Sequence, residues 1–210
     1  MMCLLFNFNT HVMRKLFFVL LLMPCLLSQE IFAIEKRVGS YSVNGTEFGI
    51  FAELDGEELV VGIEIVSIEP KTNAYPIMKI KGSHNLLDFR VALKQSMEEM
   101  VDKTLRAKEV GIDDHTSIID LGEYTKAIVE IHWKGSNGTD YSSFSTEIPF
   151  IYNLKMGEPM IMSAGKASHW ADDNITLSWG LGFTTPQEIK VLIDALDEKR
   201  ILPKLKNISF

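Results

Sequence analysis

The densest set of chemistry-bearing residues in the chain is His169-Trp170-Ala171-Asp172-Asp173-Asn174. An imidazole and two carboxylates so close together have the donor types for a hard or borderline cation, or for acid–base activation of water. Neither a calcium-loop spacing nor a His-Glu-x-x-His pair accompanies them. Turn chemistry accounts for the same composition, because Asp and Asn accept local backbone hydrogen bonds between strands. Trp170 stands outside that explanation, as a large aromatic among polar neighbours without periodic apolar support. His169, Trp170, Asp172 and Asp173 are therefore the nominated ligand-binding positions, with Trp170 as an aromatic platform for a sugar or peptide. The sequence assigns no metal, no cofactor and no catalytic set.

Three weaker groups remain. Asp113-Asp114-His115 repeats the composition in shorter form. Were it to meet the first cluster in space, a hydrolase or metal-assisted enzyme built on His169, Asp172 and Asp173 with His115 would be the alternative function. His132 shares a strand face with Glu130 and Lys126, which reads as a cross-strand polar ladder before it reads as a general base. Ser142, Ser143 and Ser145 lack the Gly-x-Ser-x-Gly elbow of a serine hydrolase. Trp133 and Trp179 alternate with polar residues in the manner of core positions. Asn-x-Ser/Thr triplets at Asn44, Asn137, Asn174 and Asn207 fit surface turns.

The elements that must carry these residues are legible as periodicity. Thr46, Phe48, Ile50, Ala52 and Leu54 alternate with Glu47, Gly49 and Glu53; Asp55-Gly56 signals a hairpin turn, and Leu59, Val61, Ile63 and Ile65 return. A third strand spans Tyr75 to Lys81. A long helix follows, capped by Ser83 or Asn85, with Leu86, Phe89, Leu93, Met97, Met100, Val101 and Leu105 on its apolar side and a stop at Gly111. Its other side, with Arg90, Lys94, Glu98, Glu99, Asp102, Lys103 and Arg106, reads as solvated surface. Ala127 to Lys134 alternates again, Gly135-Ser136-Asn137-Gly138 turns, and Tyr141 to Phe150 runs back. Strands near Met160–Ala164 and Ile175–Leu181 complete the sheet. Thr185-Pro186-Gln187-Glu188 combines an N-cap, a first-turn proline and a capping-box glutamate, with Ile189, Leu192, Ile193 and Leu196 behind it. The expected architecture is α+β: a mostly antiparallel curved sheet with one long and one or two short helices packed on one face.

The long helix, Ile131-His132-Trp133-Lys134-Gly135-Ser136 and Phe183-Thr184-Thr185-Pro186-Gln187-Glu188-Ile189 resemble small exported proteins of unknown function from gut-dwelling bacteria. The likeness spans about residues 84–205. It implies location and carries no activity.

The N-terminus predicts export. Arg14-Lys15 precedes the apolar run Leu16–Leu22, which continues to Leu27, a length suited to a signal peptide and short of the about 20 residues of a membrane span. Met13 is a second possible start, and Ala33 at the cleavage position sets a mature domain at residues 34–210. A lipoprotein signal ending at Cys25 is the competing reading and the only expected route to a membrane; Pro24 counts against it. Both cysteines, Cys3 and Cys25, precede position 34, so the mature domain has no thiol for a disulfide, a zinc site or a nucleophile. Removing residues 1–33 takes away two basic residues and one acidic residue, and the net charge of −7 becomes −8. Such a surface repels phosphate backbones and excludes nucleic acid as the expected partner. The expectation is a periplasmic, cell-surface or secreted module that binds a protein, peptide or glycan without catalysis.

Overall fold

Alternating apolar and polar residues lay down most of the chain as strands. The computed structural model describes residues 36–69, 75–122, 128–135, 138–145, 148–169 and 172–206. Arg14, Lys15, Cys25 and Ala33, together with Lys126, Ala127, Trp170 and Asn207, lie outside them. The elements in chain order are β1 (Lys36–Val43), β2 (Thr46–Asp55), β3 (Glu58–Glu64), β4 (Val66–Glu69), β5 (Ile77–Lys81) and α1 (Ser83–Val110). Then come β6 (His115–Ile118), β7 (Val129–Lys134), β8 (Asp140–Ser145), β9 (Ile151–Lys155), β10 (Glu158–His169), β11 (Asp172–Phe183), α2 (Pro186–Ala195) and α3 (Glu198–Lys206). They belong to one compact unit, Glu35–Phe210. Among the described residues no helix is long and apolar enough to cross a membrane.

The α+β composition and the long helix agree with the sequence, but one curved sheet does not. Two antiparallel sheets form, sheet A in the order β1-β2-β3-β5-β7-β8 and sheet B in the order β4-β11-β10-β9-β6. The chain changes sheets where a ladder cannot continue. The run from Tyr141 to Phe150, expected as one strand, stops at Ser145 and resumes as β9 in the other sheet. Pro149, between them, has no N–H to give a ladder. After β3 the Ile65 amide donates to the Pro76 carbonyl at 2.9 Å, and β4 then pairs with β11.

β1 was not expected. Its signal is Asn44-Gly45, a two-residue turn with positive φ at both positions (49° and 78°), as a type I′ hairpin requires. Tyr41 and Phe48 then face each other across the hairpin and stack at 5.2 Å. β10 and β11 extend well beyond the expected segments into a hairpin of two 12-residue strands. On its inner face Gly165 lies under the Trp179 indole, where a Cβ would come within 2.9 Å of the ring.

α1 packs on the inner faces of both sheets, against β3 and β5 on one side and β9 and β10 on the other. Leu86, Phe89, Leu93 and Met100 are buried as the periodicity demands, and Met97 is partly buried, but Val101 and Leu105 are exposed. The buried stripe instead runs through the small residues Ala92, Ser96 and Ala107, which let sheet B approach. Ser96 is satisfied by the Ala92 carbonyl at 2.8 Å, and Thr104 Oγ1 lies 3.1 Å from the Tyr152 hydroxyl. Neither Ser83 nor Asn85 caps this helix. Its N-cap is Gly82 at φ 86° without a side-chain cap, and Asn85 Nδ2 donates back to the Lys81 carbonyl at 2.8 Å. Gly111 ends the helix in the left-handed region, as expected.

α2 starts with the full Thr185/Glu188 capping box. The Glu188 carboxylate also accepts from the amides of Asn44 and Thr184, at 2.9 and 2.7 Å, which joins the β1–β2 turn to the helix start. Burial pushes this carboxyl up, but the amides of Asn44, Thr184 and Thr185 outweigh it and hold the group below its usual range. The helix buries Ile189, Leu192 and Leu196 against α1 and β1 rather than on a broad sheet face. α3 is the second short helix. Asp197 precedes it and accepts from the Lys199 amide at 3.0 Å, and Ile201 and Leu205 are its buried pair.

Candidate functional site

Of the residues nominated from sequence, His169, Asp172 and Asp173 lie at one end of the β10–β11 hairpin in sheet B. β10 ends at His169 and β11 begins at Asp172, and these two are cross-strand partners beyond an irregularity at Ser168. Asp173 follows at the start of β11. The half-buried His169 ring meets Tyr141 edge-on at 5.2 Å, and Tyr141 lies 5.7 Å from Trp133. These three rings join the last strand of sheet A to β10. Trp170 lies outside the described residues.

Asp113-Asp114-His115 does not join that cluster. His115 faces Leu154 on β9, and Leu154 faces Pro159 on β10. His169 is ten residues further along the same strand, about 33 Å at strand rise. The acidic pair instead braces the β9–β10 turn. Asp114 Oδ1 accepts from the Met156 amide at 3.2 Å and the Asp113 carbonyl from the Gly157 amide at 3.0 Å. Met156 and Gly157 both have positive φ, so the turn needs that support. Among the described residues no three His, Cys, Asp or Glu side chains are grouped to hold a metal ion.

His132 lies on the outer face of sheet A within a cross-strand ladder. Its Nε2 is 3.2 Å from Glu130 Oε2, and one row along Lys79 Nζ is 3.5 Å from Glu53 Oε1. Lys81 reaches Asp55 at 2.7 Å and Glu58 at 3.6 Å. The Lys81 hydrogen bond, and then its charge, holds the Asp55 carboxyl below its ordinary value and raises Lys81 in return. Ser142 is the register partner of His132, while Ser143 pairs with Ile131 on the inward-facing row. The ladder surrounds a recess of about 340 Å³, lined by Glu53, Asp55, Glu58 and Glu130 together with Lys79 and Lys81.

A wide recess lies along α1. His84, Asp88, Val91, Gln95, Glu98 and Asp102 recur at helical spacing on one wall, and Asp120, Leu121 and Gly122 contribute the other, around a volume of about 1230 Å³. Asp120 Oδ1 accepts from the Gly122 amide at 3.0 Å and shapes that wall. Basic side chains of α1 approach the carboxylates, Lys103 to Glu99 at 3.4 Å and Arg106 to Asp102 at 3.0 Å. Arg106 is mostly in water, and i,i+4 pairs of this kind hold their charges weakly. Leu87, exposed, adds apolar surface. The arrangement suits a cationic segment with an aliphatic stem, such as lysine or arginine side chains.

Sequence reasoning took this helix side for plain solvated surface. The spacing of its acids was visible, but the facing wall at Asp120–Gly122 was not. The sequence matches no protein-family model, and no match is found among curated proteins or solved structures.

Proposed function

We propose that this chain is an exported bacterial protein of the envelope or the extracellular medium, and that its domain is a non-enzymatic binding module. The groove along α1 receives a cationic segment of a protein or peptide partner. That groove carries the reading: it encloses about 1230 Å³, and carboxylates recur along its helix wall and again at Asp120. The signal-like run from Arg14 to Ala33 and the acidic balance of the chain support it from the sequence. Titrating the purified protein with a fluorescent oligolysine tests the groove. Binding should weaken steeply with salt, and Asp88→Asn with Asp102→Asn should reduce affinity by about tenfold or more. Oligolysine binding that these substitutions leave unchanged would remove the groove from the reading. Fractionation with N-terminal sequencing tests export; the expected mature start is near Ile34, and a cytoplasmic protein retaining Leu16–Leu27 would overturn it.

A second reading has one specific support. His169 and Asp172 are cross-strand partners, which brings an imidazole-bearing and a carboxylate-bearing residue opposite each other, with Asp173 next along β11. On this reading the hairpin end is a hydrolytic or metal-assisted site. An activity against esters, peptides or glycosides that His169→Ala abolishes at unchanged stability would favour it. Trp170→Ala separates ligand contact from core packing: loss of glycan or peptide binding without loss of stability assigns Trp170 to the surface.

A further inference from the structure

The outer face of sheet B carries a row of side chains that is traced strand by strand through the register. Ile118 on β6 faces Ile151 on β9, Ile151 faces Met162 on β10, and Met162 faces Gly182 on β11. The row on one side holds Ala164, Gly180 and Val66, with the Ile68 side chain lying over Gly180. The row on the other side holds Met160, Asn153 and Thr116, whose polar groups satisfy each other at 3.3 Å. None of these side chains is charged. Ile118 is 74% exposed, and Val66, Ile68 and Met160 are also exposed. An apolar face of this kind marks an interaction surface.

The two ends of the central row are complementary. Ile118 projects into solvent at one end. At the other, a Cβ on Gly182 would make only ordinary contacts, at 3.8 Å from the Ile161 carbonyl and 3.9 Å from Met162. Beside it opens a pocket of about 270 Å³ lined by Gly180, Gly182, Val66, Met160 and the buried rings of Tyr41 and Phe48. That is ample for one branched aliphatic side chain. Projection and hollow are three strand spacings apart, about 14 Å.

We propose that two copies of this chain pair through the outer faces of sheet B, about a two-fold axis parallel to the strands between Ile151 and Met162. Rotation about that axis places Ile118 of each copy over Gly182 of the other, so one knob–hollow contact is made twice, as an isologous interface requires. Ile151 then meets Met162 across the axis. The sheets stack at the usual spacing of about 10 Å for face-to-face packing. A neutral face also suits this occupant: copies of a chain with net charge −7 meet there without bringing like charges together.

Sedimentation equilibrium of the purified protein over about 1–100 μM should show a reversible dimer. Ile118→Lys should raise its dissociation constant about 30-fold or more, as loss of a central contact does. Gly182→Val, which fills the hollow, should act in the same direction, and Ile118→Val should retain the dimer. The pairing itself is read by crosslinking in a Cys3→Ser, Cys25→Ser background. Positions 118 and 182 lie about 14 Å apart within one copy and about 10 Å apart across facing sheets, too far in both cases for a direct disulfide. A bifunctional thiol crosslinker that spans the second distance but not the first should therefore give a covalent dimer with the Ile118→Cys/Gly182→Cys variant, and with neither single variant. A monomer throughout the range, a dimer indifferent to Ile118→Lys, or equal crosslinking by a single variant would each overturn the proposal. So would a monomer that binds neutral lipid vesicles through Ile118, because the face would then belong to a membrane.

Discussion

The outer faces of the two sheets are built on the same ladder geometry and end in opposite chemistry. On sheet A, Lys79 meets Glu53 and Lys81 meets Asp55 and Glu58 across the strands. The space over Gly49 is already filled, because the Phe51 ring and the Glu64 carboxylate lie where its Cβ would be. On sheet B the rows are neutral, and a Cβ on Gly182 would meet its neighbours only at ordinary contact distance. The charged face pairs each of its two lysines with at least one carboxylate. The neutral face leaves apolar side chains exposed beside a pocket lined by Gly180 and Gly182. A glycine in a strand thus has no meaning of its own; what lies above it decides whether it closes a face or opens one.

The largest expected effect comes from the inner face, where there is no room at all. Gly165→Val drives a side chain into the buried Trp179 indole and should lower unfolding stability by about 3 kcal/mol, read by urea denaturation. The contrast between the outer faces follows. Gly49→Val must displace Phe51 and Glu64, and should cost about 1–2 kcal/mol. Gly182→Val, at a position with space and ordinary strand conformation, should stay within about 0.5 kcal/mol. Equal losses at Gly49 and Gly182 would erase the distinction between a closed and an open face.

A smaller effect measures how far sheet A depends on its charges. A double-mutant cycle with Glu53→Gln and Lys79→Met should give a coupling of about 0.5–1 kcal/mol, because both side chains are largely covered. The coupling should shrink in high salt. No coupling at all would mean that the ladder is decoration and that the two faces differ less than their chemistry suggests.

Acid is the gentlest probe. Asp55 is held low by the hydrogen bond and charge of Lys81, and Glu188 by backbone amides that overcome its burial. Folded values below the unfolded ones mean that both contributions are present above the ordinary carboxylate range and are lost as pH falls through the lowered values. Side-chain NMR titration should find both midpoints below ordinary values. Lys81→Met should return Asp55 towards its ordinary value and leave Glu188 unmoved. The central rows of sheet B contain no carboxylate or imidazole, so nothing there should titrate over the same range.

Local chemistry explains why some of this was legible in the residues. The Thr185/Glu188 box, the Gly111 stop and the Asp55-Gly56 turn each depend on neighbours a few positions away, and each forms as expected. The alternation around Trp133 and Trp179 likewise announced core positions, and both are buried. Where the reading departed from the fold, the deciding partner was distant in sequence. Val101 and Leu105 fit an apolar stripe, but sheet B approaches the helix through Ser96 and Ala107. Asp113 and Asp114 had the composition of a site, and the β9–β10 turn uses them as braces. The acids of α1 were read as a solvated face because their opposing wall comes from Asp120–Gly122.

The sequence by itself determined the alternation of strands, the long helix and its stop, the capped second helix, and an acidic chain whose cysteines all precede position 34. These follow from backbone preferences and side-chain periodicity, which act within a few residues. Only the tertiary structure decided that the strands divide into two sheets, that the acidic clusters lie at opposite ends of β10, and that Ile118 and Gly182 share one row. Register and sheet order are set by which distant segments bury each other's apolar faces, and no local stretch of residues contains that information.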